Sequence, residues 1–270
     1  VETNANWKCF TVDVDIFKRT AATKFYIDGE NGDNIQSGSF ADLGKLNLQG
    51  VLDENWMPGD SVFVVRPLRV GNNNTVIWNG NQMGGTVVLS RYTEENLSDP
   101  SPTYNPGINT GYNGGADYKG AIFAKVTGTG KATFDHLIFD GAPTTGETQA
   151  LAPLISVSDG GTVTLDEGTV LRNAKNMATD TETNQPLAGA IYVGHNGNLI
   201  LKDGITLQGD TVSVANGAGA IYVADETATV IVGGSVNITN NGAVWTDGGE
   251  SKRKECNVKL ATLKSVITID

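Results

Sequence analysis

The sequence predicts an all-β chain wound as a right-handed parallel β-helix, three short strands to a coil, behind an N-terminal capping β segment. Three observations predict it. The phrase Gly-Ala-Ile-Tyr-Val at 189–193 returns 30 residues later, at 219–223. The stretch after each copy returns too, as apolar runs of three to five residues separated by Gly, Asn or Asp. Gly makes up 34 of 270 residues, against a usual share of about 7%, without the every-third-residue period of collagen. One such unit cannot bury its apolar side alone, whereas stacked copies share an interior.

The elements come in chain order. Residues 1–57 carry the least pattern: 11–17 alternates like an edge strand, and Asp-Gly-Glu-Asn-Gly-Asp-Asn at 28–34 is a polar loop. A cap over the solenoid's open end is the expected role. The β-helix is expected over 58–270. Its first, less regular coils are read near 61–65, 75–78 and 85–89. A Pro/Asn/Gly/Tyr-rich insertion then occupies 91–119.

Gly-Ala-Ile-Phe-Ala at 120–124 reads as a further copy of the phrase, and Pro-Leu-Ile-Ser-Val at 153–157 as a degenerate one. Ile155 is followed by Thr-Val-Thr-Leu at 162–165 and Gly168. Ile191 is followed by Asn-Leu-Ile-Leu at 198–201 and Gly204, and each Gly stands 13 positions past its Ile. A third run closes each unit, at 170–171, 205–207 and 236–238. Alternation assigns the sides: Val163 and Leu165 point one way, Thr162 and Thr164 the other. Gly and Asn at the corners accept the positive φ that tight corners require.

Loops of unequal length, including a polar one at 173–187, are all expected after the third strand and therefore on one side. Residues 266–270 read as one more strand, and its uncovered coil suggests a piece cut from a longer protein. No basic–apolar–small leader stands at Val1, so a secretion signal is read as removed or never present.

Composition narrows the partners. Lys+Arg is 19 and Asp+Glu is 30, a formal net charge of −11. Such a surface repels phosphate backbones and anionic lipid, so nucleic acid is not expected. No apolar run approaches the ~18 residues of a membrane span. Lys252-Arg253-Lys254 is the one dense basic run, flanked by Glu250 and Glu255, and reads as a solvated loop. Cys9 and Cys256 stand 247 positions apart and are read as two free, mostly buried thiols.

The repeated phrase, the strand–Gly–strand run at 162–171 and Phe-Asp-His-Leu-Ile-Phe-Asp-Gly at 134–141 resemble right-handed parallel β-helix surface proteins. These are the adhesin-like repeat proteins of gut and mucosal bacteria and of some archaea. The chain is more faintly similar to the chlamydial polymorphic membrane proteins, whose signature is Gly-Gly-Ala-Ile. Ala precedes Gly189 and Gly219 here, so that signature is incomplete. The likeness spans about 58–270. It implies secretion or cell-surface attachment, and adhesion to a glycan or a host surface protein.

The same fold carries polysaccharide lyases and glycoside hydrolases, so catalysis is weighed. Hydrolysis needs two carboxyl groups flanking the bond, ~5–10 Å apart. Asp135, Asp140 and Asp166 are the candidates, with Arg172 or His195 as partners. Asp166 and Glu167 are neighbours, which on a strand face opposite sides. No Asp-Asp pair or acidic cluster beside Arg172 completes a known pattern, and neither His136 nor His195 has a nucleophile at a recognisable spacing. His195 reads as a turn residue and His136 as an outward-facing strand residue. The non-catalytic reading is preferred, with the enzyme and a structural stalk spacer as alternatives.

No cofactor is expected, with calcium at 28–34 or at Asp180–Glu182 the one metal considered. Binding is assigned to Tyr92, Tyr104, Tyr112 and Tyr118 in or beside the first insertion, because Tyr stacks on sugar rings while its hydroxyl hydrogen-bonds. Asp180 and Glu182 in the second loop complete the candidate contacts. Asn-Asn-Thr at 73–75 and Asn-Ile-Thr at 237–239 match glycosylation sequons.

Overall fold

The computed structural model describes residues 24–28, 61–66, 76–79, 86–91, 109–111, 124–141, 153–176 and 187–270. Among them every regular element is a strand. Two strands come first, β1 (Lys24–Asp28) and β2 (Ser61–Arg66). A coil comes next, β3 (Val76–Asn79), β4 (Thr86–Arg91) and β5 (Asn109–Gly111). The one after it holds β6 (Ala124–Thr127), β7 (Lys131–Asp135) and β8 (Ile138–Asp140).

Later coils gain a fourth strand. One runs β9 (Ile155–Val157), β10 (Thr162–Leu165), β11 (Val170–Arg172) and β12 (Lys175–Asn176). Its successor is β13 (Ile191–Val193), β14 (Asn198–Leu201), β15 (Ile205–Gln208) and β16 (Thr211–Val212). Then come β17 (Ile221–Val223), β18 (Thr229–Val232), β19 (Val236–Thr239), β20 (Gly242–Asp247) and a returning β21 (Glu250–Glu255). β22 (Val258–Leu260) and β23 (Val266–Ile269) complete the set.

Strands of equal rank stack into four sheets. The first-strand sheet runs β3-β6-β9-β13-β17-β22. The second-strand sheet runs β1-β2-β4-β7-β10-β14-β18-β23. The third is β5-β8-β11-β15-β19, and the fourth β12-β16-β20-β21. All pairings are parallel except the β20–β21 hairpin. The described residues form a parallel β-solenoid. Ile155, Ile191 and Ile221 lie in one register column and are fully buried.

Alternation does the sorting. β10 buries Val163 and Leu165 and half-exposes Thr162 and Thr164; β14 repeats this with Leu199 and Leu201 inside. Phe134, Phe139, Leu171 and Leu207 reach the same core from the second and third sheets. In β23 the inward-facing Ile269 is 84% exposed.

Three expectations need correcting. The 120–124 phrase is two residues out of step, because Ala124, not Ile122, is the partner of Ile155. A shift by an even number keeps each side chain on its face, so the pattern hides it. The 91–119 stretch contains a third-sheet strand, β5. The insertions expected after the third strand leave from different strands, one past Gly141 after β8 and the other past Asn176 after the two-residue β12, which the sequence does not signal.

Corners use two kinds of residue. Gly168 and Gly204 hold equivalent positions with φ of 70° and 75°. In the preceding coil the corner is one residue shorter, and His136 takes positive φ (52°) itself. His136 is therefore an exposed corner residue, not a strand residue.

Candidate functional site

The outer face of the second-strand sheet carries an open groove of about 500 Å³. Its floor is a column of outward side chains in register, Val88, Thr133, Thr164 and Ile200. Lys131 and Thr162 stand at one rim. At the other, strands give way to the corner, which supplies Asp135, His136, Asp166, Glu167 and Lys202. Asp166 and Glu167 lie just past the end of β10, so both line the groove, where strand geometry had set them on opposite sides.

Four of the corner side chains form two pairs. His136 Nδ1 is 2.6 Å from Asp135 Oδ1, and Lys202 Nζ donates to Asp166 Oδ2 at 2.8 Å. Burial raises the Asp166 pKa. The hydrogen bonds from Lys202 and the Glu167 amide, with the Lys202 and His136 charges, outweigh it and hold the carboxyl below its ordinary value. A lowered folded-state pKa stabilises the fold above the unfolded value, near 3.9, and that contribution is lost as pH falls through the folded value. The pair is partly exposed, so about 0.2–1 kcal/mol is at stake. Asp166→Asn is thus expected to melt below the wild type at pH 7, with the gap closing toward pH 3. Paired calorimetric scans read this, and a gap that does not change with pH would contradict it.

A second polar cluster lies where the first sheet turns into the second. His195 is an exposed turn residue, as expected. Thr227 Oγ1 donates to Asp225 Oδ1 at 2.6 Å and stands 3.1 Å from His195 Nδ1, while Asn196 Nδ2 is 2.9 Å from His195 Nε2. The Thr227 hydroxyl and amide hold the Asp225 carboxyl below its ordinary value, with smaller help from His195. The Thr227 proton points at a carboxylate rather than at the imidazole, so this network ties a corner and does not activate a nucleophile.

The groove brings Asp135 and Asp166 together. It does not bring Arg172 or His195 to them: neither lines it. Arg172 is the register neighbour of Asp140 in the third sheet. Family models, curated proteins and solved structures give no match to this chain.

Tyr92, Tyr104, Tyr112, Tyr118, Asp180 and Glu182 lie outside the described residues, as do Cys9 and residues 29–34. Cys256 is a half-buried free thiol. Among the described residues no group of three His, Cys, Asp or Glu side chains is placed to hold a metal, and no helix is long and apolar enough to cross a membrane. The basic run expected as a loop is strand β21, with Val244 opposite Arg253 and Trp245 opposite Lys252.

Sequence reasoning passes over the groove and over Tyr192 and Tyr222. The signal for the tyrosines is there. In Gly-Ala-Ile-Tyr-Val the two aliphatic positions face the core, so the Tyr between them must face out.

Proposed function

We propose that this chain is a non-catalytic, adhesin-like β-solenoid, secreted or displayed at a cell surface, that binds glycan or a host surface protein along its outer face. The groove on the second-strand sheet carries the reading. It offers three Thr hydroxyls (Thr133, Thr162, Thr164) beside two charge pairs, His136–Asp135 and Lys202–Asp166, on a stacked floor. Walls that carry hydroxyls beside charge pairs suit a polyhydroxylated ligand, which exchanges its water hydrogen bonds for equivalent ones.

Hydrolysis or lyase chemistry is the second reading, favoured by Asp135 and Asp166 lining one groove. A glycan array run beside a uronate-release and reducing-sugar assay separates the two. Binding without product release, weakened by Thr164→Ala, is the expected result. Product release lost in Asp166→Asn would establish the enzyme, and silence in both assays would leave a stalk spacer.

A further inference from the structure

The tyrosines of the repeated phrase are spared by the core. Ile191 and Val193, like Ile221 and Val223, point inward and are buried. Tyr192 and Tyr222 therefore stand on the outer face of the first-strand sheet as direct register partners. Their rings are parallel within 7°, with centroids 6.3 Å apart. Both are half-buried.

Gly194 sets the pose of the first ring. A Cβ at position 194 would stand 2.9 Å from Tyr192 Cε1 and 3.6 Å from Cζ. The ring covers the place where residue 194 would carry its side chain, so it lies along its own strand instead of standing up from it.

Two carboxylates, Asp159 and Asp225, act on the Tyr192 phenol. After burial, the influences acting on the Tyr192 phenol are Tyr222, Asp225 and Asp159, and all push its pKa up. One cation, Lys259, is the next residue in the outward column, its ammonium donating to the Asn216 carbonyl at 2.6 Å. The column before Tyr192 continues as Ser156. Carboxylate oxygens beside a ring suit a ligand with hydroxyl donors and repel one with carboxylates of its own.

We propose that Tyr192 and Tyr222 form a stacking platform for neutral pyranose units, two coils wide. The C–H face of a sugar ring packs on each Tyr ring, and its hydroxyls donate to Asp159 and Asp225. The two rings stand on adjacent coils with centroids 6.3 Å apart, so a linear oligosaccharide lies along the solenoid axis. The platform rests on the first-strand sheet alone and stands apart from the groove.

The test uses the full chain with cellohexaose and mannohexaose as neutral probes and hexagalacturonate as the charged one. Binding of at least one neutral probe, with Tyr ring-proton NMR shifts that vanish in Tyr192→Ala and Tyr222→Ala, is expected. Each Ala variant should lose about ten-fold in affinity, Tyr192→Phe should keep most of it, and Gly194→Ala should lose it by lifting the ring. Hexagalacturonate should bind at least ten-fold more weakly than the neutral probe. No binding of either neutral probe would overturn the proposal. Shifts confined to His136 and the groove threonines would overturn it too while supporting the groove. Tyr shifts without groove shifts would uphold the platform and count against the groove. Should an Ala variant fail to fold, the wild-type ring shifts decide.

Discussion

Phe134→Ala is expected to destabilise the chain by about 3–5 kcal/mol, the largest effect of any single core truncation among the described residues. Phe134 is fully buried and meets Phe139 edge-to-face at 5.1 Å and 73°. In register it sits between Leu89 of the coil before and Leu165 of the coil after. A solenoid's coils touch only their neighbours, so a void in one coil weakens two interfaces at once. Phe134→Leu should recover much of the loss, and outward-facing Thr133→Ala should stay within about 0.5 kcal/mol. Denaturant titrations measure all three. Equal effects at 133 and 134 would mean that the two faces had been assigned wrongly.

Gly219→Ala is expected to cost about 3 kcal/mol or more, at the upper end of overpacking. The reason is not backbone conformation, since Gly219 is absent from the positive-φ residues. A Cβ there would run into the Gly242 amide nitrogen and the Asp210 carbonyl, and would stand 2.7 Å from the Asn241 carbonyl carbon. All three are backbone of stacked coils and cannot swing aside. Gly189 occupies the same place one coil earlier, against the Gly219 and Thr211 carbonyls. Gly233→Ala is the control, because its nearest atom is the Leu201 carbonyl oxygen at 3.7 Å and its φ is not positive. A Gly219→Ala variant as stable as Gly233→Ala would refute this packing.

Those two glycines make the repeat legible for a reason other than the one that corner glycines suggest. Relief of positive φ accounts for Gly168 and Gly204. The glycine that opens Gly-Ala-Ile-Tyr-Val is instead a point of close backbone approach. Both causes leave the same letter in the sequence, and only coordinates separate them.

The inner face was readable because burial imposes a period of two on each run, as in β10 and β14. The fourth sheet was not. Lys175-Asn176 and Thr211-Val212 are too short to show a period, and buried Asn176 mimics a loop residue. Asn176 is held by donating to the Ala188 carbonyl at 2.8 Å, a contact 12 residues away that no local pattern encodes. The groove was illegible for a related reason. Asp135, Asp166 and Lys202 meet only because consecutive coils stack, and their spacings of 31 and 36 residues reflect loop lengths rather than chemistry.

Register stacking is the claim on which the groove, the platform and both stability predictions depend, and cysteine cross-linking tests it most directly. In a chain carrying Cys9→Ser and Cys256→Ser, Thr164→Cys is combined with Ile200→Cys, its register partner on the outer face. Adjacent parallel strands put such a pair within the 4.4–6.8 Å Cα separation a disulfide needs. Mild oxidation is predicted to close this bridge quantitatively. Thr164→Cys with Leu199→Cys should stay open, because Leu199 points into the core. Closure of the second pair, or failure of the first in a folded chain, would contradict the stacked solenoid.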